Sequence, residues 1–383
     1  MTRHVSLDLP HSVRHVGGQE GSIAAASLAA RPRIVHVTES FGSGTAAAIR
    51  DYVRNYSAAD HHLVYSARTE AAVGSAEFAG FVTVTELPSG HYARIRFLRV
   101  FIANSDRPLI IHAHSSKAGV YVRMSVRKSA TPIVYTPHCY SFERLDVAWP
   151  IRQCFRAVEW LLSFNTTCYA SCSPREGQLS RWPISRPRVA VVPNVGQARL
   201  ARQMDTHAHD TIRIAGNGRL GNQKDHTFFA DAVASVTAQR PDVRAVWIGG
   251  GESAHVAQLR ARGIEVTGWV SRSEALAVLA SCDVYLHTAL WEGFPISILE
   301  ASAAGLPVIA RNRPYLSGMD MPVVIDHPHQ LCEALLGMCG ERPRRIAVME
   351  TKAALSDNSD EMQQLSLRTL YAPYIGASCN LFT

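Results

Sequence analysis

The stretch DVYLHTALWEGFPISILEASAAGLPVIA, residues 283–310, decides the fold. Val284–His287 is a short run of β-branched, aromatic and aliphatic residues and predicts a strand. Thr288–Gly293 reads as a loop. Phe294 and Pro295 open a predicted helix that runs to about Ala304, since proline early in a helix gives up only an N–H that would be unpaired anyway. Gly305 stops the helix, Pro307 follows, and Val308–Ala310 begins a second apolar strand. Short strands that are apolar throughout and alternate with helices predict a parallel sheet covered on both faces.

The same unit recurs outward in both directions. Arg33–Val37 leads through a Gly-rich turn, Ser40–Thr45, into a helix over Ala46–Tyr56. Leu109–Ala113 is followed by a helix over Ser115–Arg127, and then come strands at Ile133–Thr136, Thr167–Ser171 and Val189–Val192. After a polar stretch, Arg199–Asp210, that reads as a linker, a second series begins at Ile212–Ala215. It continues with a helix near Asp225–Gln239 and strands at Ala245–Ile248 and Glu265–Thr267. The chain is therefore predicted to be α/β, with two tandem Rossmann-like, doubly wound domains and ligands in the cleft outside the carboxyl ends of the strands. Residues 1–30 lack periodicity and read as a flexible extension rather than a signal peptide, because their apolar stretch is short and follows Glu20.

Composition limits the function. At 383 residues, 47% hydrophobic and 19% charged, the chain is neither a disordered protein nor a fibre. No apolar run approaches the ~20 residues of a membrane-spanning helix. Eight cysteines without a CxxC pair argue against a zinc ribbon or a disulfide scaffold, and mostly buried, reduced thiols are expected. The net charge of +7 divides into +9 over residues 1–190 and −2 over the remainder. A basic front half suits an anionic partner: nucleic acid, acidic lipid or a phosphorylated substrate. No nucleic-acid motif accompanies it.

Within 283–310 two carboxylates stand eight apart, Glu292 before the helix and Glu300 on its second turn. They bracket a helix N-terminus whose unpaired N–H groups suit a phosphate. A carboxylate beyond it can hydrogen-bond sugar hydroxyls, so the pair is compatible with a sugar nucleotide. A solvated Glu300 and a loop Glu292 fit the spacing equally well.

EGFPISILEASAAGLPVIA resembles the nucleotide-sugar motif of family 4 glycosyltransferases, retaining enzymes of the GT-B fold, and the resemblance extends over nearly the whole chain from Arg33. Gly218-Arg219-Leu220 followed by Lys224 resembles the family loop whose Arg and Lys neutralise the donor diphosphate. Fixed cations there would stabilise the charge that grows on the leaving group. Asp225 stands where the family usually has Gly. Tyr135–His138 resembles the segment carrying the active-site histidine. The resemblance implies that His138 contacts the transferred sugar, and an unperturbed histidine titrates near neutral pH. Phe41-Gly42-Ser43-Gly44 resembles the first Gly-rich turn of the front domain, which faces donor phosphate and acceptor. It is not a full dinucleotide fingerprint, since Ala47 holds the last glycine position. Gly249-Gly250-Gly251 and Gly268-Trp269-Val270 resemble turns along the nucleotide, although Trp269 reads equally well as ordinary packing. His112-Ala-His114 resembles another family segment. Strand alternation is taken to send its two imidazoles to opposite faces, away from any shared metal.

The resemblance implies transfer of a hexosyl-type group with retention, by departure and attack on one face. The Arg219 and Lys224 side chains and the Phe294, Pro295, Ile296 and Ser297 segment would hold the diphosphate. Glu300 would hold the ribose, and Glu292, with Gly293 beside it, and His138 the donor sugar. No metal is expected, since the chain has no Asp-x-Asp, and no cofactor beyond the nucleotide-sugar co-substrate. Residues 31–195 would form the acceptor domain, 196–358 the nucleotide-sugar domain, and 359–383 a helix crossing back to the front domain with a loose tail. The acceptor would be a lipid-linked saccharide, and the location cytoplasmic, at the inner membrane face. The basic, aromatic segment His91–Arg99, with Arg94, Arg96 and Arg99, reads either as a helix lying on anionic lipid or as an ordinary half-buried helix with solvated arginines. Rival readings are a nucleotide-sugar epimerase of the same fold, which would act on the donor without acceptor, and a non-catalytic nucleotide-sugar-binding protein.

Overall fold

The computed structural model describes residues 14–15, 31–67, 75–196 and 211–375. The front sheet has eight strands: β1 (Arg14–His15), β2 (Arg33–Phe41), β3 (Asp60–Ala67), β4 (Thr83–Glu86), β5 (Leu109–His114), β6 (Ile133–Thr136), β7 (Cys168–Ser171) and β8 (Arg188–Val191), in the order β1-β4-β3-β2-β5-β6-β7-β8. All pairings are parallel except β1 with β4. Helices α1 (Ser43–Asn55), α2 (His91–Ala103), α3 (Ser116–Ser125), α4 (Trp149–Ser163) and α5 (Pro174–Leu179) belong to this half. The rear sheet is parallel throughout. Its strands β9 (Ile212–Asn217), β10 (Val243–Ile248), β11 (Glu265–Val266), β12 (Val284–His287), β13 (Val308–Arg311) and β14 (Val324–Ile325) run in the order β11-β10-β9-β12-β13-β14. Its helices are α6 (His226–Thr237), α7 (Ser253–Ala261), α8 (Arg272–Ala280), α9 (Ile296–Ala303), α10 (Gln330–Leu336) and α11 (Glu341–Ala354). The architecture is the predicted pair of doubly wound α/β domains.

Strands β5, β6, β7 and β12 are buried at every position, as parallel strands between helical layers must be. Helix α8 starts on a capping box, Ser271 with Glu274, and α5 on Ser173, whose hydroxyl accepts from the Glu176 N–H. Helix α12 (Asp360–Ile375) packs on α1 and β8 of the front half. Asn55 Nδ2 donates to Asp360 and Gln363 at 2.7 Å, and Tyr371 is fully buried beside Tyr52 and Tyr56.

Several expectations change on contact with the structure. Within the leader, Arg14–His15 add an antiparallel edge strand to β4, so this part of the extension is paired. The rest of residues 1–30, the stretch Arg199–Asp210 and the tail from residue 376 lie outside the described residues. The cysteines are not mostly buried: Cys168, Cys172 and Cys282 are, whereas Cys154 and Cys339 are exposed. In α2, Arg94 is an internal brace: it donates to the Pro88 carbonyl at 2.9 Å and Ser66 at 3.1 Å, and its guanidinium sits over the Tyr121 ring. Arg99 donates to the carbonyls of Ser125 and Met124, whereas Arg96 is exposed.

Candidate active site

Both sheets point their carboxyl ends at a common seam. At its centre the Ser173 hydroxyl donates to the Gly293 carbonyl at 2.8 Å, tying the front half to the loop before α9. A Cβ built on Gly293 would lie 2.6 Å from the His138 carbonyl carbon and 2.7 Å from the Cys139 nitrogen, so the two backbones touch there and only glycine fits. Gly42 caps α1, and Gly44 in its first turn faces Ile296 at the start of α9, with 3.7 Å between a Cβ and Ile296 Cδ1. The front Gly-rich turn and the α9 N-terminus therefore meet across the cleft.

Helix α9 begins at Ile296 with Pro295 as its N-cap, two residues later than the sequence pattern placed it. Phe294 and Ser297 are buried, and Glu300 sits on the second turn. The turn from Gly218 to Lys224 lies directly against this segment. The Leu290 N–H donates to the Gln223 carbonyl at 2.8 Å, the Thr288 hydroxyl donates to the Lys224 carbonyl at 2.6 Å, and Lys224 Nζ donates to Glu292 Oε1 at 2.5 Å. Arg219, exposed, begins the same turn. Asp225 adopts the left-handed conformation, φ +46°, which explains the usual glycine at this position and why an aspartate can replace it. Its side chain accepts from the Phe228 N–H as the cap of α6 and from Arg311 Nη1 at 2.5 Å, which holds the turn in place.

The rear glycines support that turn. The Gly218 and Leu220 N–H groups donate to the carbonyls of Ile248 and Gly250, and Trp247 Nε1 donates to the Gly218 carbonyl. Gly250 lies under Trp269, with a Cβ 2.9 Å from its indole. Trp269 is half exposed and Val270 is 37% exposed, so the indole is not core packing.

Glu300 is largely buried and pairs with Arg272 Nη2 at 2.8 Å. Burial pushes its carboxyl upward, and Arg272 and then Lys224 oppose that shift. Arg272 was not found from sequence: it lies 28 residues away, and only the capping box beside it leaves a local signal.

His138 is half-buried on a left-handed backbone, φ +56°, and burial lowers its pKa to about 4, so it stays neutral at physiological pH instead of titrating there. Its Nε2 is 3.0 Å from His114 Nδ1. His112 and His114 share one face of β5, with ring centroids 4.1 Å apart. The expectation of opposite faces fails because alternation separates neighbours, while residues two apart point the same way. The Nδ1 of His112 is paired with the Tyr371 hydroxyl at 2.7 Å and its Nε2 with Thr136 Oγ1 at 2.8 Å.

The structure thus brings Lys224, Glu292, Gly293, Glu300, the α9 N-terminus, Gly44 and His138 to one seam, with Arg219 in the adjoining turn and Trp269 over Gly250. Two family profiles match the chain: "Glycosyl transferase 4-like domain" over residues 43–195 and "Glycosyl transferases group 1" over residues 211–340. The chain is similar to an uncharacterized 41.2 kDa protein of the Klebsiella pneumoniae cps region, 25% identical over 73% of this chain and 80% of that protein. It is also similar to the UDP-Gal:alpha-D-GlcNAc-diphosphoundecaprenol alpha-1,3-galactosyltransferase of Escherichia coli. That match is 27% identical and covers 53% of this chain and 57% of the relative. Among solved structures, Anabaena HepE in complex with UDP-glucose superposes with a TM-score of 0.69 at 16% identity, covering 89% of this chain and 99% of that one.

Proposed function

Because the chain belongs to the family 4 glycosyltransferases, GT-B enzymes that use nucleotide sugars, we propose that it transfers a hexosyl group, with retention, to a lipid-diphosphate-linked saccharide. One observation carries the reading: the cationic turn ending in Lys224 is bonded to the loop that leads into α9. A cation and a helix N-terminus then address one diphosphate. Arg219 adds a second charge from the same turn, Glu300 takes the ribose, and Trp269 offers its open face to the base.

The chemistry follows from the charges. The bond between the anomeric carbon and the diphosphate oxygen breaks, the electron pair stays on the diphosphate, and Lys224, Arg219 and the α9 amides stabilise it. A double displacement needs a carboxylate close to the anomeric carbon. Here Glu292 is engaged by Lys224 and Glu300 by Arg272. We therefore adopt the family's account, in which the acceptor hydroxyl attacks from the face the diphosphate is leaving and its proton passes to a diphosphate oxygen. Positioning and charge supply the rate, and the protein's own cations serve where other transferases use a metal.

The Escherichia coli relative is named for an acceptor on diphosphoundecaprenol, and a related lipid-linked acceptor implies a membrane surface. No described helix is long and apolar enough to cross a membrane. With Arg94 and Arg99 of α2 engaged internally, we place the docking face on α4. There Ile151, Val158 and Leu161 are exposed, as is Trp149 in the first turn. Another flank of α4 lines a groove of about 470 Å³ with Arg156, Arg175 and Arg181 and with Trp160 and Trp182. Apolar area flanked by arginines suits acidic lipid.

Incubation with a panel of sugar nucleotides and lipid-diphosphate saccharides tests the reading. A product carrying the donor's anomeric configuration, formed equally in EDTA, is expected. Inverted product, or donor epimerised without acceptor, overturns it. For α4, a doubly substituted Ile151→Glu, Leu161→Glu protein should lose binding to phosphatidylglycerol vesicles, and unchanged binding removes this helix from the membrane argument.

A further inference from the structure

Four histidines from neighbouring strands of the front sheet form a continuous hydrogen-bonded file that ends at His138. His61 Nε2 lies 2.7 Å from the Tyr56 carbonyl. His61 Nδ1 is 2.9 Å from His36 Nε2, His36 Nδ1 is 3.0 Å from His114 Nε2, and His114 Nδ1 is 3.0 Å from His138 Nε2. The rings come from β3, β2, the end of β5 and the loop after β6, which are adjacent in the sheet.

The carbonyl gives this file a direction. It can only accept, so His61 Nε2 carries the proton. A neutral imidazole has one donor and one acceptor. His61 Nδ1 must then accept from His36 Nε2–H, His36 Nδ1 from His114 Nε2–H, and His114 Nδ1 from His138 Nε2–H. Burial holds all four rings neutral. The last nitrogen, His138 Nδ1, makes no hydrogen bond to another described residue, and the direction of the file leaves it a bare lone pair.

Resting on the transferase reading, we propose that His61, His36 and His114 are positioning residues: they fix His138 as its Nε2–H tautomer, so that Nδ1 accepts a hydrogen bond from a hydroxyl of the transferred sugar. His138 is the group that touches the substrate, and the other three act through it. The opposite tautomer would present an N–H to the sugar and leave two donors or two acceptors facing each other at one junction of the file. His112 is pinned separately. Thr136 Oγ1 gives its proton to the Ala170 carbonyl, so it accepts from His112 Nε2–H, while His112 Nδ1 accepts from the Tyr371 hydroxyl. Nitrogens of His36, His112 and His114 come within 4.8 Å of one another, a spacing that could hold a metal ion. All six nitrogens are already in hydrogen bonds, however, and an ion there would break the file.

The test uses the full chain labelled with ¹⁵N-histidine, with His138→Gln to assign its signals. The wild-type spectrum should show His138 protonated at Nε2 and bare at Nδ1. A wild-type His138 protonated at Nδ1, or a spectrum changed by stoichiometric Zn²⁺ at these rings, overturns the proposal without any variant. His61→Leu removes the anchor. It should mix the His138 tautomers and lower kcat by ~10-fold, the cost of a buried polar contact offered with the wrong polarity. Affinity for UDP, held by the rear domain, should not change. His61→Gln offers an amide N–H to Tyr56 and an amide oxygen to His36, and should restore most of the loss. A His61→Leu enzyme with wild-type kcat, or His61→Gln as impaired as His61→Leu, overturns the proposal. If wild type shows the ordered file but turns over no sugar nucleotide, the transferase reading has failed, and with it the sugar contact. If wild type turns over with a disordered file, only the present inference fails.

Discussion

Gly293→Ala should pull the two halves of the protein apart at the seam. The added methyl would sit 2.6 Å from the His138 carbonyl carbon, 2.7 Å from the Cys139 nitrogen and 2.8 Å from the His138 oxygen. Carbon atoms in contact prefer ~3.5–4.0 Å, so the two backbones must separate by roughly 1 Å. No side chain can rotate away, because every close atom is main chain. Gly293 is not among the residues with positive φ, so alanine suits the local backbone and the strain lies wholly in the contact between domains. Relief would stretch the Ser173–Gly293 hydrogen bond and move His138 away from Glu292. A displacement of about 1 Å at a reacting centre can cost ~100-fold in rate, whereas loss of the one buried hydrogen bond costs about 1–3 kcal/mol of stability. Steady-state kcat/KM with a nucleotide sugar and acceptor, alongside thermal melting, separates the two effects. The expected result is a large loss of kcat/KM with a melting temperature lowered by only a few degrees. An alanine variant with wild-type kcat/KM would refute the claim that this contact sets the working geometry.

Glu300→Ala should raise the donor KM by ~10-fold or more through loss of a charge-assisted contact, and a thermal-shift titration with UDP should weaken in parallel; unchanged KM removes Glu300 from the ribose. Acid should destabilise the front domain. The buried His36, His61, His112 and His114 have folded-state pKa values below the usual 6.5, so the unfolded chain binds more protons as pH falls below that value. The stability is present above pH 6.5 and is lost on acidification. Stability should therefore be lower at pH 5.5 than at pH 7.5, which urea titrations at the two values would measure, and equal stability would refute the burial of these rings in neutral form. Glu159→Ala would strand the fully buried Arg123, now bonded to Glu159 Oε2 at 2.9 Å and packed over Tyr135. A loss of about 3–5 kcal/mol is expected by urea titration, and a small change would show that water reaches the guanidinium.

What was legible in the sequence had local punctuation. The β12–α9–β13 unit is bounded by Pro295, Gly305 and Pro307, so its ends are read to within about two residues. Strand β3 was not read, because Asp60, His61 and His62 open it and resemble a loop. Those histidines are buried only because tertiary partners accept their N–H groups, namely the Tyr56 carbonyl for His61 and Thr83 for His62. The pairing of Arg272 with Glu300 and the file through residues 61, 36, 114 and 138 have no sequence period. They exist only because β3, β2, β5 and β6 are neighbours and α8 packs beside α9. The shared face of His112 and His114 follows from the two-residue repeat of a strand alone.

The contact between Lys224 and Glu292 bears most directly on the proposed reaction. An ammonium has three donors, and Glu292 Oε1 takes one of them at 2.5 Å. The other two can address diphosphate oxygens. A carboxylate has about four acceptor sites. Lys224 occupies one, and Gln223 Nε2 stands 3.5 Å from Oε2, which leaves room to accept from sugar hydroxyls. The ion pair can therefore sit across the bond that breaks, with positive charge on the diphosphate side and negative charge on the sugar side. That polarity matches a transition state in which the leaving group gains negative charge and the anomeric centre becomes cationic. Glu292→Gln keeps the shape and hydrogen bonds to hydroxyls but loses the charge. It should lower kcat far more than it raises donor KM, because the lost interaction is strongest when the sugar is positively charged. Equal changes in both constants would mean that Glu292 only binds the sugar and contributes nothing specific to the transition state.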